Sequence, residues 1–384
     1  MNVAVASDSV TLRQLYAQQE WARLAQQAEG IARRQPDNAE AWRYWGIGEL
    51  MQLQGGPDKL LRASLMNDAE AGLWLGVMQE FGLHPKGTVG VHDIPPQVDL
   101  AKLRLSPYMD YPQEVHIETF AYCNAKCSFC PYPTMDRQGE KMSDALIEKI
   151  IADLMQIPRS IPFNIAPFKV NEPFLDKRIF AVCAQINERL PNAQLRLFTN
   201  GSPLTPGIIE KVAALKNVLH LWISLNEVDA ELYAKLMQLP LERTLQKLDV
   251  LHELLREGKF PHPVKISRVT DRTERDQAFK AFVQQRYPLF NLFMIGAGNW
   301  TGQVDVATDR RVPPAGCFRW YELSIMASGK VALCCMDGEG KHVIGDVNTR
   351  SVLEIYNDPG YKKMRQFTFS RKAAAAPCDT CRYF

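Results

Sequence analysis

Cys123, Cys127 and Cys130 stand at the spacing C-x3-C-x2-C. Three thiolates in so short a run can wrap one face of a four-iron cubane, which leaves one iron without a protein ligand and open to chelation by a small molecule. The same spacing admits a structural zinc ion or a set of reduced thiols. A fourth zinc ligand is not evident nearby, His116 being the closest candidate. A second group lies toward the C-terminus: Cys317, the adjacent pair Cys334-Cys335, and Cys378-x2-Cys381. Four cysteines are enough to close a cluster completely, and they also make a good zinc site. Cys183 sits in a helical stretch among apolar neighbours and reads as an inert core thiol. The total of 9 cysteines is odd, which argues against a pure disulfide framework.

These residues need elements to position them. Between 114 and 310, strand-like runs at 115–121, 162–166, 194–198, 219–225, 264–269 and 290–295 alternate with helical runs at 143–156, 176–190, 206–216, 229–238, 242–257 and 273–286. That alternation predicts an α/β fold with a parallel sheet buried on both faces. The first cysteine group directly follows the first strand, and reacting groups in barrels of this type sit at the C-terminal ends of strands. Residues 10–82 carry helical periodicity, with Pro36-Asp37-Asn38 ending one helix and Asn38 capping the next. Ala41-Trp42 and Gly46 there resemble the start of a tetratricopeptide repeat, so 1–82 reads as a helical segment that packs on the main domain or docks a protein partner. The proline-rich run 83–113 reads as a linker. Residues 311–384 have little helix and read as a small metal-stapled module, with two strands around a turn at Ser328-Gly329.

With 46% hydrophobic and 23% charged residues, the chain is ordinary globular material, neither disordered nor fibrous. No apolar run is long enough to span a bilayer. A net charge of +2 gives no case for a nucleic-acid protein. The N-terminus lacks a basic n-region and a long apolar h-region, which predicts a cytoplasmic chain with reduced thiols.

The C-x3-C-x2-C group with an aromatic before its last cysteine, placed at the end of the first strand of a β/α domain, resembles the radical S-adenosylmethionine (SAM) enzymes. The resemblance implies a partial (β/α)6 TIM-like barrel over 114–310, with Cys123, Cys127 and Cys130 holding a [4Fe-4S] cluster whose open iron binds the amino and carboxylate groups of SAM. One electron then cleaves SAM to methionine and a 5′-deoxyadenosyl radical, which abstracts hydrogen from an sp3 C–H bond. It also implies that Phe129 lies along the adenine. Val170-Asn171-Glu172-Pro173 stands where the family usually has a Gly-Gly-Glu-Pro-like turn. Both glycines are replaced, while Glu172 remains to accept from the SAM ammonium, with Asn171 beside it. Thr199-Asn200-Gly201 matches a turn common in the family. Ser224 and Asn226 end the fourth strand, where the family contacts the SAM ribose or carboxylate. Arg268 ends the fifth, a fitting place for a cation on that carboxylate.

The C-terminal cysteines, with Gly329-x4-Cys334, Gly345-Asp346-Val347 and the run 351–356, resemble the auxiliary-cluster extension called SPASM in its long form and twitch in its short form. The cysteines are too few for the long form, which implies one auxiliary [4Fe-4S] cluster drawn from Cys317, Cys334 or Cys335, Cys378 and Cys381. Neighbours on a strand point to opposite faces, so either Cys334 or Cys335 could ligate. The other is left as a packed thiol or a hydrogen-atom donor. The implied activity is oxidation (dehydrogenation) or epimerisation of a sugar-like or other polar metabolite. An electron donor such as flavodoxin or ferredoxin would serve it. Maturation of a ribosomally made peptide is the alternative, and a non-catalytic iron–sulfur scaffold is the alternative of another class.

Overall fold

The computed structural model describes residues 3–52, scattered positions between 59 and 103, 106–306, 312, 316–365 and 371–382. The linker expected over 83–113 lies outside them apart from Leu103 and 106–113.

Six parallel strands run in sequence order across the sheet: β1 (Glu114–Ile117), β2 (Phe163–Ala166), β3 (Ala193–Thr199), β4 (Val218–Ser224), β5 (Val264–Thr270) and β6 (Asn291–Gly296). Helices fill the crossovers: α4 (Asp144–Leu154), α5 (Ile179–Arg189), α6 (Pro206–Ala213), α7 (Ala230–Met237), α8 (Leu241–Arg256) and α9 (Glu274–Arg286). Several begin at a residue that caps them. Ser143, Thr205 and Asp229 accept from the backbone N–H three positions on, which satisfies a donor the first turn leaves orphaned. β1 is shorter than expected. After Ile117 the chain gives one more bond to the neighbouring strand, from Glu118 N–H to Ile325 C=O at 2.9 Å, then turns into a hairpin closed by the Phe120–Lys141 bridge.

The sheet does not close into a barrel. Its β1 edge is taken by β7 (Glu322–Ile325), parallel and in register from Glu114↔Glu322 to Ile117↔Ile325. The antiparallel strands β8 (Lys330–Ala332) and β9 (Val343–Asp346) follow, giving 9 strands in the order β6-β5-β4-β3-β2-β1-β7-β8-β9. The turn between β7 and β8 falls at Ser328-Gly329, with Gly329 at φ +90°, where a side chain would be strained. Among the described residues, the C-terminal segment builds no separate core. Val347, Val352, Ile355, Tyr356 and Tyr361 belong to the same buried cluster as the barrel helices. Val352 N–H and the Asp153 carboxylate (3.1 Å), and the Tyr356 hydroxyl and the Tyr108 carbonyl (2.6 Å), join the two parts.

The two faces of the parallel sheet differ, and here the structure departs from a sheet apolar on both sides. Ile165, Leu195, Leu197, Leu221, Ile223 and Ile266 face the helices and are buried in the core. The residues between them point the other way, and they are Glu114, His116, Arg196, Phe198, His220, Trp222, Lys265 and Ser267. The concave side is therefore a polar and aromatic lumen.

At the N-terminus, α1 (Val3–Ala17), α2 (Trp21–Arg34) and α3 (Ala39–Met51) form their own apolar cluster. Asn38 caps α3 by accepting from Ala41 N–H at 3.0 Å. Gly48 lets α2 and α3 meet closely, since a Cβ there would stand 2.7 Å from the Ala25 nitrogen.

Candidate active site

The three cysteines of the first group ride on the loop that leaves the C-terminal end of β1. The loop is pinned to the end of α7 by Lys126 N–H to Met237 C=O (3.1 Å) and Ser128 N–H to Leu236 C=O (3.0 Å). Cys127 Sγ lies 3.4 Å from Met237 Sδ, and Asn200 Nδ2 approaches Cys123 Sγ at 3.9 Å. All cysteines in the structure are free thiols. Burial pushes Cys123 up to about 12 and Cys130 up to about 11. Cys127 rises further, through burial and then through repulsion from Cys130 and Cys123. Thiols so placed give up their protons only to a cationic partner, because thiolate ligands bind as metal displaces protons. The donor set therefore fits a metal–sulfur cluster.

Beside this loop, at the C-terminal ends of β4, β5 and β6, a cavity of about 580 Å³ opens. That size suits a nucleoside-like ligand. Phe129 and Arg268 line it. The Phe129 carbonyl accepts from Trp300 Nε1 at 2.9 Å, which fixes the aromatic position of the loop. Asn171, Glu172, Ser224 and Asn226 do not line the cavity. Glu172 is 2% exposed and stands near Cys123. Its carboxylate accepts from the backbone N–H of Asn200 (2.7 Å) and Phe174 (3.3 Å). Burial still pushes it up to about 7. Asn171 Oδ1 accepts from Lys169 N–H at 2.9 Å, while its Nδ2 is buried without a partner among the described residues. A ligand acceptor would satisfy that orphaned donor. Asn226 adopts φ +66° and turns its side-chain oxygen to Val269 N–H (2.9 Å), so it braces the β4 and β5 ends. Ser224 ends β4, half-buried, opposite Ser267.

Arg268 differs from the expectation of a free cation. It is 2% exposed and bound to Asp276 (2.7 Å), Asp271 (2.8 Å), Glu227 (3.0 Å) and the Asn226 carbonyl. Three carboxylates offset its charge, so it is a brace at the cavity wall rather than a waiting partner for a ligand carboxylate. Glu227, Asp271, Gly296 and Ala297 also line the cavity. Sequence reasoning missed them. The glycine-bearing turn Gly296-Ala297-Gly298 after an apolar strand was the available signal.

In the second group, Cys317 precedes β7, Cys334 follows β8, and Cys381 N–H bonds to the Cys378 carbonyl at 3.3 Å. Cys317 lies close enough to Cys334, Cys378 and Cys381 for each pair to repel as thiolates. Arg319 and Arg371 face the same group and oppose that repulsion. Cys335 turns toward the lumen, where its sulfur, a ring nitrogen of His116 and a Glu322 oxygen lie within 4.8 Å of one another. Of the adjacent pair Cys335 is the more acidic, because it accepts from the Cys334 thiol and faces Arg319. Buried Lys169, which sequence reasoning also missed, reaches Ser324 Oγ (3.1 Å) and the Cys335 carbonyl (3.4 Å), tying the loop after β2 to this module. Cys183 lies in α5, buried in the core.

Comparison with known proteins accords with this geometry. Residues 117–285 match the family described as the radical SAM superfamily, and residues 317–382 match SPASM, an iron–sulfur cluster-binding domain. The chain thus carries a radical SAM domain followed by a C-terminal SPASM domain. Its cofactors are accordingly a [4Fe-4S] cluster with SAM in the first domain and auxiliary iron–sulfur chemistry in the second. Among solved structures, Streptococcus suis SuiB bound to precursor peptide SuiA is 15% identical with a TM-score of 0.51, covering 81% of this chain and 83% of its own. Native anSMEcpe with bound AdoMet and Cp18Cys peptide is 14% identical with a TM-score of 0.51, over 70% and 88%. BtrN in complex with AdoMet and 2-DOIA is 14% identical with a TM-score of 0.48, over 70% and 92%. These likenesses concern the fold. No curated protein matches the chain. Among the described residues, no helix is long and apolar enough to cross a membrane.

Proposed function

We propose that the chain oxidises or epimerises a small polar, sugar-like substrate at an sp3 C–H bond. The observation that carries this reading is the polar lumen, in which His116, Glu322 and Cys335 come together. In this reading Cys123, Cys127 and Cys130 hold the SAM-cleaving cluster, and Glu172 with Asn171 receives the amino-acid end of SAM. Phe129 borders the adenosine cavity, with Ser224 and Asn226 at the end of β4 behind its lining and Asn226 bracing the β4 and β5 ends. The bound cluster and SAM together supply the radical that takes a hydrogen atom from the substrate. Cys317, Cys334, Cys378 and Cys381 would hold one auxiliary [4Fe-4S] cluster, which would supply an acceptor for the electron left on the substrate after hydrogen abstraction, giving oxidation. A flavodoxin- or ferredoxin-type donor would supply the separate electron that cleaves SAM. Cys335 favours a second reading. A free thiol in the lumen can return a hydrogen atom to the opposite face of the substrate, giving epimerisation, and the thiyl radical left behind takes an electron from the reductant and a proton from water to restore the thiol. Peptide maturation finds no support in a particular residue, because the peptide-bound structures share only the fold.

The test is anaerobic reconstitution with iron counting and 5′-deoxyadenosine release. Wild type is expected to hold about eight irons in two cubanes. Cys127→Ala abolishes SAM cleavage. Cys381→Ala keeps it and loses about four irons. Full iron in Cys381→Ala, or cleavage by Cys127→Ala, would overturn the assignment.

A further inference from the structure

The lumen wall made by β3, β4 and β5 carries hydrogen-bond donors without an acceptor among the described residues. Arg196 and His220 are register partners, as are Trp222 and Lys265. Phe198, Trp222 and Phe293 stack in a row, with ring centroids 5.6 and 5.2 Å apart. The Lys265 ammonium stands 5.1 Å from the Trp222 ring and 4.8 Å from the Phe293 ring, and Arg196 lies over Phe198 at 5.3 Å. Lys265 is half-buried and makes no ion pair among the described residues. Arg196 is paired with Glu114, yet its Nε is buried without an acceptor among the described residues. His220 is 1% exposed, and both its ring nitrogens lack a hydrogen-bond partner among the described residues. It stays neutral there, through burial and then through the nearby charges of Lys265 and Arg196.

Buried donors without acceptors are rare enough in folded proteins that each calls for an explanation. Here three side chains converge with one carboxylate among them, and the balance is cationic. The aromatic row beside them offers apolar faces of the kind that cover the C–H surface of a ring. A neutral substrate would leave the ammonium and the guanidinium edge unmatched, whereas an oxyanion would accept from all three.

We infer that the substrate is an acid, its carboxylate or phosphate seated between Lys265, Arg196 and His220 with its ring carbons against Trp222. This rests on the radical SAM reading above and narrows its substrate class. It also assigns a task to lumen residues that neither cluster uses.

The probes are glucose, glucuronate and glucose 6-phosphate, titrated calorimetrically under argon into the reconstituted full chain. At least one acid is expected to bind tenfold or more tightly than glucose, and the tighter acid identifies the seated group. Lys265→Met removes that advantage and Lys265→Arg keeps most of it, with thermal unfolding reporting that both variants fold. In wild type labelled with 15N-histidine, the His220 ring signals are expected to shift on adding the preferred acid and not on adding glucose. Equal affinity for all three probes, no binding of any, or an unchanged preference in folded Lys265→Met overturns the inference. SAM cleavage is scored separately. If it persists while acid binding fails, only this inference falls. If acid binding holds while no SAM is cleaved, the radical SAM reading falls instead.

Discussion

The two cysteine groups present opposite solutions to holding a cluster. The first lies within one loop, its three thiols raised by burial and two of them, Cys123 and Cys127, also by neighbouring thiolates, with buried Glu172 close by. The second is assembled from chain segments far apart in sequence, and two arginines face its sulfurs. A loop of three donors leaves room for an exchangeable ligand. Four donors drawn from distant segments close their site and leave no such room. The proposed assignment gives the adjacent cysteine pair separate places, Cys334 in the closed set and Cys335 turned to His116 and Glu322.

The sharpest way to break this comparison is to separate that pair. Cys334→Ala should lose about four of the irons, and Cys335→Ala should keep all of about eight. Iron and sulfide assays with the visible spectrum read the outcome. The reverse pattern would exchange the two roles. A smaller effect is expected on the open side. Glu172→Gln keeps the shape but removes the charge facing the SAM ammonium, so SAM should bind about tenfold more weakly, the loss of one charge-assisted bond. Equilibrium dialysis of SAM against the reconstituted variant checks it, and unchanged affinity would remove Glu172 from the binding set.

The smallest effect concerns the lumen wall between the groups. His220 titrates at about 3 in the folded chain, against an ordinary value of 6.5. As pH falls below 6.5 the unfolded chain takes up the proton first, so stability declines progressively toward pH 3. Above pH 6.5 this histidine contributes no pH dependence. His220→Phe should match wild-type stability at pH 7.5, since removing two unsatisfied polar atoms costs little, and should flatten the acid limb of Tm. An acid limb as steep as in wild type would place the titration elsewhere.

Much of this was legible in the sequence. Each of the six parallel strands is a short apolar run between helical stretches, a local signal that needs no knowledge of distant residues. The first cysteine loop was legible because its donors are consecutive in the chain. Arg268 was misread because Glu227, Asp271 and Asp276 meet it only when the β4 and β5 ends and α9 come together. The lumen wall was misread for a different reason. In the run Leu219 to Ile223, His220 and Trp222 look like interruptions of an apolar strand, while in space they form one face of it. The pairing of β7 with β1 left no local trace, because long-range strand partners are chosen by packing rather than by propensity.

That pairing acts as a ruler. The first cysteine loop hangs from the forward end of β1, and the C-terminal cysteines flank a strand bonded to β1 residue for residue. Because the strand advances about 3.3 Å per residue, slipping the ladder by two positions would move one cysteine group past the other by about 7 Å. The spacing of the two groups is thus written into backbone hydrogen bonds rather than into a flexible tether. Removing the C-terminal strands would do more than delete a module: it would leave β1 as a bare edge open to pairing with another chain.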